Sequence, residues 1–208
     1  MGWDGPPPPR RIETERLVLR CYEPDDAPLL KEATDSSLDH LRTWMPWTDR
    51  EPENVEQKRA LIERFRSTFA AGEDFTYAIL DPDETQLLGG TGFHPRVGPG
   101  GLEVGYWIRA SATRRGYATE VTAALIRVGF ELCEVDRMEI RIDPENTSSL
   151  GVPAKLGVPL EATLRRRLLN RPGQPLRDVA IFTLFREDYD PAIAPGLRAF
   201  GERGERVL

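Results

Sequence analysis

Between Thr113 and Thr119 the chain reads Thr-Arg-Arg-Gly-Tyr-Ala-Thr, directly ahead of a stretch with helical periodicity. A helix start leaves about four N–H groups unpaired and carries a partial positive charge, so a glycine-bearing loop there suits a phosphate or diphosphate. Small residues at Gly116 and Ala118 let an anion approach the backbone, and Arg114 and Arg115 add local positive charge. An ordinary turn between strand and helix can look the same. The Gly-Lys-Ser/Thr of a nucleotide P-loop is missing, which argues against an ATP-binding, kinase-like protein. A second cluster, Gly89-Gly90-Thr91-Gly92, lacks the third glycine of a dinucleotide fingerprint and lies inside a strand pattern, so it reads as structural. His94, beside Pro95, reads as a strand-end residue rather than a catalyst. Cys21, Cys133, His40 and His94 are isolated from one another and match no tight metal-ligand spacing, so neither a metal nor a disulfide is expected.

These residues need elements to position them. Arg16 to Arg20 reads as a short strand, and Glu23-Pro24-Asp25-Asp26 supplies capping and first-turn acids for a helix to about Asp35. Leu61, Ile62, Phe65 and Phe69 recur at helical spacing between Glu53 and Ala71, and Gly72 closes that helix. Phe75 to Leu80 and Leu87 to Phe93 read as strands. Leu102 to Ile108 alternates, with Leu102, Val104, Tyr106 and Ile108 on one face and Glu103, Gly105 and Trp107 on the other. A glycine inside a strand signals a bulge or the close approach of something else. Gly116 to Leu132 carries a stripe of Val121, Leu125, Val128 and Leu132, and Met138 to Asp143 alternates again. Strand, 17-residue helix and strand make a βαβ unit with its two strands parallel. A short helix, Thr147 to Leu156, follows, with Pro153 expected to kink it. Two late strands, Ala162 to Leu169 and Val179 to Phe185, are joined by a turn at Asn170 to Gln174.

The 208 residues suit one domain, read as 12–189, between a disordered Pro-rich tail (1–11) and a loosely attached tail (190–208). Hydrophobic residues at 39% and charged residues at 30% are the balance of a soluble globular chain. No run approaches the ~18 apolar residues of a membrane span, and no signal peptide is evident, so no membrane partner and a cytoplasmic location are expected. The 28 basic and 34 acidic residues leave a formal charge of −6, which disfavours nucleic acid as a partner. Arg165-Arg166-Arg167, with Arg171 and Arg177, reads either as a basic ridge or as a solvated strand face, the alternation pointing Arg166 away from its neighbours.

Five pieces in order give the chain a family likeness: Thr14 to Arg20, Trp44-Met45-Pro46-Trp47, Glu103 to Ile108, Arg115 to Glu120, and Asn146 to Ser149 leading to Lys155-Leu156-Gly157. Over roughly Ile12 to Tyr189 it resembles the GNAT N-acetyltransferase superfamily, and within it the RimJ/RimL-type branch that acetylates protein N-terminal amines. The resemblance implies an α+β fold: a twisted, mixed six- to seven-stranded sheet flanked by helices, whose central strands splay apart to admit the pantetheine arm of acetyl-CoA or another short acyl-CoA. Those strands would be Leu102 to Ile108 and Met138 to Asp143. Backbone groups of Tyr106, Trp107 and Ile108 would hold the pantetheine amides, and N–H groups of Arg114, Arg115, Gly116, Tyr117, Ala118 and Thr119 the diphosphate. Thr113 and Arg114 depart from the family's usual Gln or Arg and Gly at those positions, and Val158 replaces a usual Phe.

The same resemblance assigns roles. Glu103 would accept the proton of the attacking amine through water, or else be a surface strand glutamate; Leu168 stands where some relatives carry another carboxylate. Asn146 and Ser149 would approach the cofactor's amide and sulfur, Ser149 being otherwise a helix-capping hydroxyl. Trp44 and Trp47 would wall the acceptor pocket or fill the core. The activity implied is transfer of acetyl to a primary amine by direct attack through a tetrahedral intermediate, the acceptor being a protein N-terminus. A small amine such as an aminoglycoside or polyamine, a succinyl donor, and a non-catalytic acyl-CoA-binding protein are the alternatives. A homodimer is expected, as in many relatives.

Overall fold

The computed structural model describes residues 2–170 and 173–208. Strand β1 (Arg11–Glu13) and β2 (Val18–Cys21) lead to helices α1 (Ala27–Asp35), α2 (Leu38–Arg42) and α3 (Val55–Ala70). Strands β3 (Phe75–Leu80), β4 (Leu87–His94) and β5 (Gly101–Ile108) follow, then α4 (Tyr117–Glu131), β6 (Arg137–Ile142) and α5 (Thr147–Leu156). Strands β7 (Leu160–Leu168), β8 (Arg177–Phe185) and β9 (Arg198–Phe200) close the chain. Among the described residues the nine strands form one sheet in the order β7-β8-β6-β5-β4-β3-β2-β1-β9. Every neighbouring pair is antiparallel except β5 and β6, which the α4 crossover makes parallel.

Alternation along the strands sorts the core into two layers. Leu102, Val104 and Ile108 of β5 pack with Val121, Leu125 and Val128 of α4 on one face. On the other face Ala78, Leu80 and Leu87 pack with Leu30 of α1 and Ile62 of α3, and Trp107 lies against this second cluster. Helix α3 starts in a reciprocal cap: Asn54 Oδ1 accepts from the Gln57 N–H (2.9 Å), and Gln57 Oε1 accepts from the Asn54 N–H (2.8 Å). Among the described residues no helix is long and apolar enough to cross a membrane. Both cysteines are free and buried, and burial pushes the thiol of Cys21 up to about 11 and that of Cys133 up to about 12.

The structure corrects the edges of the sequence reading. Among the described residues the sheet has nine strands rather than six or seven, because β1 adds to β2 and β9 adds to β1 through Arg11↔Phe200, Ile12↔Ala199 and Glu13↔Arg198. Residues 190–208 are therefore not a loose tail: Leu197 and Ala199 are buried. The Pro-rich start is docked as well. The Trp3 N–H donates to Gly72 O (2.7 Å), the Tyr77 hydroxyl donates to Pro9 O (2.7 Å), and Pro8 and Pro9 are buried. Prolines lack a donor but keep an acceptor, and Tyr77 uses it. Alternation fails at Arg166, whose φ of +55° accompanies a register shift between Leu164 and Leu168 and whose N–H donates to Asp178 Oδ1 (2.9 Å). Helix α5 continues through the buried Pro153 to Leu156. Of the turn at Asn170 to Gln174, Arg171 and Pro172 lie outside the described residues.

Within α5, a Cβ added to Gly151 meets nothing within 4 Å. Helical glycine costs about 0.5–1 kcal/mol relative to alanine, so Gly151→Ala should stabilise the protein by that amount. A melting experiment should show Tm rising by about 1–4 °C for a chain of this size.

Candidate active site

The parallel rungs between β5 and β6 are Gly101↔Arg137, Leu102↔Met138 and Glu103↔Glu139, and there they stop. Both strands run on, β5 to Ile108 and β6 to Ile142, but among the described residues β5 beyond Glu103 is paired only with β4 and β6 beyond Glu139 only with β8. The gap leaves backbone polar groups on facing edges without a ladder, a template for an extended molecule that carries amides. Tyr106 reaches across its mouth and donates a long hydrogen bond to Ser149 O (3.4 Å). Burial pushes the Tyr106 phenol up to about 12, against the opposing effect of that bond, so it remains a neutral donor.

The chain leaves β5 under tight control. The Arg109 guanidinium, buried, donates to both oxygens of Glu32 on α1 (2.8 and 2.6 Å), and the Ala110 N–H donates to Ser37 Oγ (3.0 Å). Two left-handed residues then turn the loop into α4: Arg114 at φ +61° and Gly116 at φ +85°. The first i→i−4 bond of α4 runs from the Glu120 N–H to Gly116 O (3.0 Å), so the N–H groups of Tyr117, Ala118 and Thr119 have no intrahelical partner. Arg114, Arg115 and Gly116 are exposed beside them. This concentration of free donors at a helix start is an anion cradle.

The N-terminal segment braces that cradle, a function that sequence reasoning did not assign. Arg16 Nη1 donates to Arg115 O (3.0 Å) and Nε to Glu120 Oε2 (2.8 Å), while its guanidinium lies 4.9 Å from the centre of the Tyr117 ring. Thr14 Oγ1 donates to Glu120 Oε1 (2.6 Å). Arg16→Ala removes one loop carbonyl's donor, the part-exposed ion pair with Glu120 and the cation–π contact, together worth on the order of 1 kcal/mol. The affinity of the cradle for a diphosphate-bearing ligand should fall about fivefold in a calorimetric titration.

Glu103 lies where the gap closes. Its two oxygens accept from Arg96 Nε (2.9 Å) and Nη2 (2.6 Å), and Arg141 Nε is 3.9 Å away. Its parallel partner Glu139 accepts from Arg137 (2.9 Å) and Arg141 (3.1 and 2.9 Å). The carboxylate side chains of Glu103 and Glu139 are each 7% exposed, and the three arginines neutralise two acids that the register forces side by side. The cross-strand partner of Glu103 on β4 is His94, whose Nδ1 lies 2.5 Å from Asp74 Oδ1.

The remaining candidates lie at the start of α5 and in the segment between α2 and α3. Asn146 Oδ1 accepts from the Ser149 N–H (3.2 Å) and so caps α5 itself. Ser149 is therefore not the capping hydroxyl, and among the described residues its Oγ makes no hydrogen bond. Trp47 packs on Trp107 of β5 at 5.9 Å between ring centres, and Trp44 lies 5.9 Å under the guanidinium of Arg177, which is paired with Asp143 just past β6 (2.7 Å). Both tryptophans are half-buried and belong to neither core cluster; Trp47 lies against β5 and Trp44 against the first residue of β8. Arg177 is thereby drawn away from Arg165, Arg166 and Arg167, which are exposed on β7.

The chain is similar in sequence and fold to known proteins. The profile of the acetyltransferase (GNAT) domain matches residues 16–158. The chain is 29% identical over 180 residues to an uncharacterized N-acetyltransferase, p20, of Bacillus licheniformis, covering 86% of this chain and 97% of that one. It is 27% identical over 196 residues to the ribosomal protein uS5-alanine N-acetyltransferase of Escherichia coli, covering 91% and 98%. Mycobacterium smegmatis RimJ, solved in complex with CoA-disulfide, superposes with a TM-score of 0.71 at 23% identity over 89% of each chain.

Proposed function

We propose, for a chain that belongs to the GNAT acetyltransferase family, that it moves the acetyl group of acetyl-CoA onto the N-terminal α-amine of a protein or peptide. Its N-acetyltransferase class follows from the family and from its named relatives. The acceptor and the residue roles are our reading. The observation that carries it is the end of the β5–β6 ladder at Glu103↔Glu139, with a cradle of free N–H groups at the far end of the same strand.

In this reading the pantetheine arm lies along the free edge of β5, meeting backbone groups of Tyr106, Trp107 and Ile108. N–H groups from Arg114 to Thr119 hold the diphosphate. The amine enters beneath Trp44 and Trp47, and an N–H near Trp107 receives the oxyanion. The Asn146 amide nitrogen, left over from capping, faces the donor's amide. The Ser149 hydroxyl meets the departing thiolate, a stable leaving group since a thiol titrates near ~8.5. An α-amine of pKa ~8 is about one-tenth neutral at pH 7, a lysine of pKa ~10.4 only about four parts in ten thousand, so an N-terminal acceptor makes the smaller demand on a base. Glu103, the acceptor of that proton by resemblance, has both oxygens already engaged by Arg96.

The test is thermal stabilisation by acetyl-CoA, succinyl-CoA and ATP in parallel, followed by thiol release with an amine panel. Acetyl-CoA at 100 times its Kd should stabilise the native state by about 2.7 kcal/mol. A free N-terminal peptide should outpace an Nα-blocked lysine peptide, an aminoglycoside and a polyamine. Stabilisation by ATP alone overturns the reading; stabilisation by acetyl-CoA without turnover replaces it by a binding protein.

A further inference from the structure

Gly105 stands midway along β5, two residues beyond the last rung shared with β6. A Cβ added there would lie 2.8 Å from His94 Nε2 and 3.2 Å from its Cδ2, so the close approach that this strand glycine permits is that of the His94 ring. The ring shares a face with Glu103, its cross-strand partner, opposite the α4 layer that takes Phe93. Asp74, just ahead of β3, accepts from His94 Nδ1 at 2.5 Å, and its other oxygen accepts from Thr76 Oγ1 (3.2 Å). An N–H on Nδ1 fixes the tautomer and leaves a lone pair on Nε2. Among the described residues Nε2 makes no hydrogen bond, and the side chain is 19% exposed.

We propose that His94 Nε2 accepts the proton of the attacking amine, directly or through one water, with Asp74 as its positioning residue and Glu103 as structural support for the gap. This rests on the acetyltransferase reading above. The amine nitrogen forms a bond to the thioester carbon, and the carbon–sulfur bond breaks with its electron pair leaving on sulfur. The proton carried by the nitrogen moves to Nε2, and the imidazolium, held against Asp74, returns it to solvent. The charged groups next to the ring are Asp74 before β3, Arg96 two residues after His94, and Glu103, its partner on β5; Arg141 on β6 reaches Glu103 (3.9 Å) from the other side. Arg96 and Arg141 are committed to Glu103 and Glu139, which leaves Asp74 as the group in contact with the imidazole.

The experiment compares wild type, His94→Gln, Asp74→Asn and Glu103→Gln in acetyl transfer to a free N-terminal peptide across pH 6–9, with acetyl-CoA affinity measured separately. His94→Gln should lower kcat/KM about 100-fold, the ordinary range for a lost general base, and abolish the acid limb of the pH profile while acetyl-CoA affinity changes less than about twofold. Asp74→Asn should lower the rate about tenfold and displace the limb. In His94→Ala, added imidazole should restore turnover, a readout that a structural role does not produce. A His94→Gln enzyme with wild-type rate and pH profile overturns the assignment, as does loss of activity in Glu103→Gln alone. No transfer by the wild type to any amine overturns the acetyltransferase reading itself and the dyad with it.

Discussion

Gly116→Val is expected to lower acetyl-CoA affinity by about 100-fold or more while the protein stays folded. Gly116 caps α4 at φ +85° and ψ 0°. A β-branched residue there is a true steric outlier, so the backbone must rotate out of the left-handed region. That rotation re-aims the N–H groups of Tyr117, Ala118 and Thr119, the donors with no intrahelical partner. Hydrogen bonds to charged groups contribute about 1.5–3 kcal/mol each, so misdirecting two of them removes about 3–6 kcal/mol, two decades or more in Kd. The strain itself costs about 1–3 kcal/mol at an exposed helix start, within the ~5–15 kcal/mol that holds a domain folded. Calorimetric titration should therefore show binding lost, and the melting curve should show a lower but still cooperative Tm. Arg114→Gly is the matched control. It places at φ +61° the residue that adopts this conformation without a Cβ penalty, and binding should stay within about fivefold of the parent. Undiminished affinity in Gly116→Val would remove the diphosphate from this loop.

How much of this was legible depended on whether a signal is local. The stripe Val121, Leu125, Val128 and the alternation Leu102, Val104, Tyr106, Ile108 each repeat over several turns or rungs, and the structure buries them as layers of one core. The turn ahead of α4 was legible for the same reason: free donors follow from a helix start. Strands β1 and β9 are three residues each, too short for any period: β1 is held between β2 and β9, and β9 is held by β1. The Pro-rich start is anchored by Gly72 O and by the Tyr77 hydroxyl, neither of which has a sequence signature near it. Within the site, Asp74 and His94 are 20 positions apart and meet because Phe75 pairs with Phe93. Glu103 could be picked out by its place in the strand, but the grip of Arg96 comes from the return of the β4–β5 hairpin. The one available sign of His94 over β5 was Gly105, a glycine in mid-strand. It became informative only once the register placed it next to the Glu103–His94 pair.

The Gly89-Gly90-Thr91-Gly92 run, structural by its sequence, should prove so in the strongest terms at its first residue. Gly89 pairs with Ile108 across the β4–β5 ladder, and a Cβ added to it would stand 2.1 Å from the Trp107 carbonyl oxygen and 3.1 Å from Ile108 Cα. Those neighbours are backbone, with no rotamer to give way. An acceptable carbon–oxygen contact begins near ~3.3 Å, so Gly89→Ala must push β5 outward by about 1 Å. Overpacking of this kind costs about 3 kcal/mol, which for this length lowers Tm by roughly 6–12 °C. The displaced strand is also the one whose opposite edge lines the gap, and a misplacement of about 1 Å remote from the chemistry can cost about 100-fold in rate. Stability and kcat/KM should therefore fall together in Gly89→Ala. In Gly151→Ala, where the new methyl meets open space, stability should instead rise. Melting curves and initial rates on the two variants decide the matter: a Gly89→Ala protein with the parent's Tm and turnover would mean that β4 and β5 are not held at this spacing, and that the free edge of β5 is not the surface on which the donor substrate is aligned.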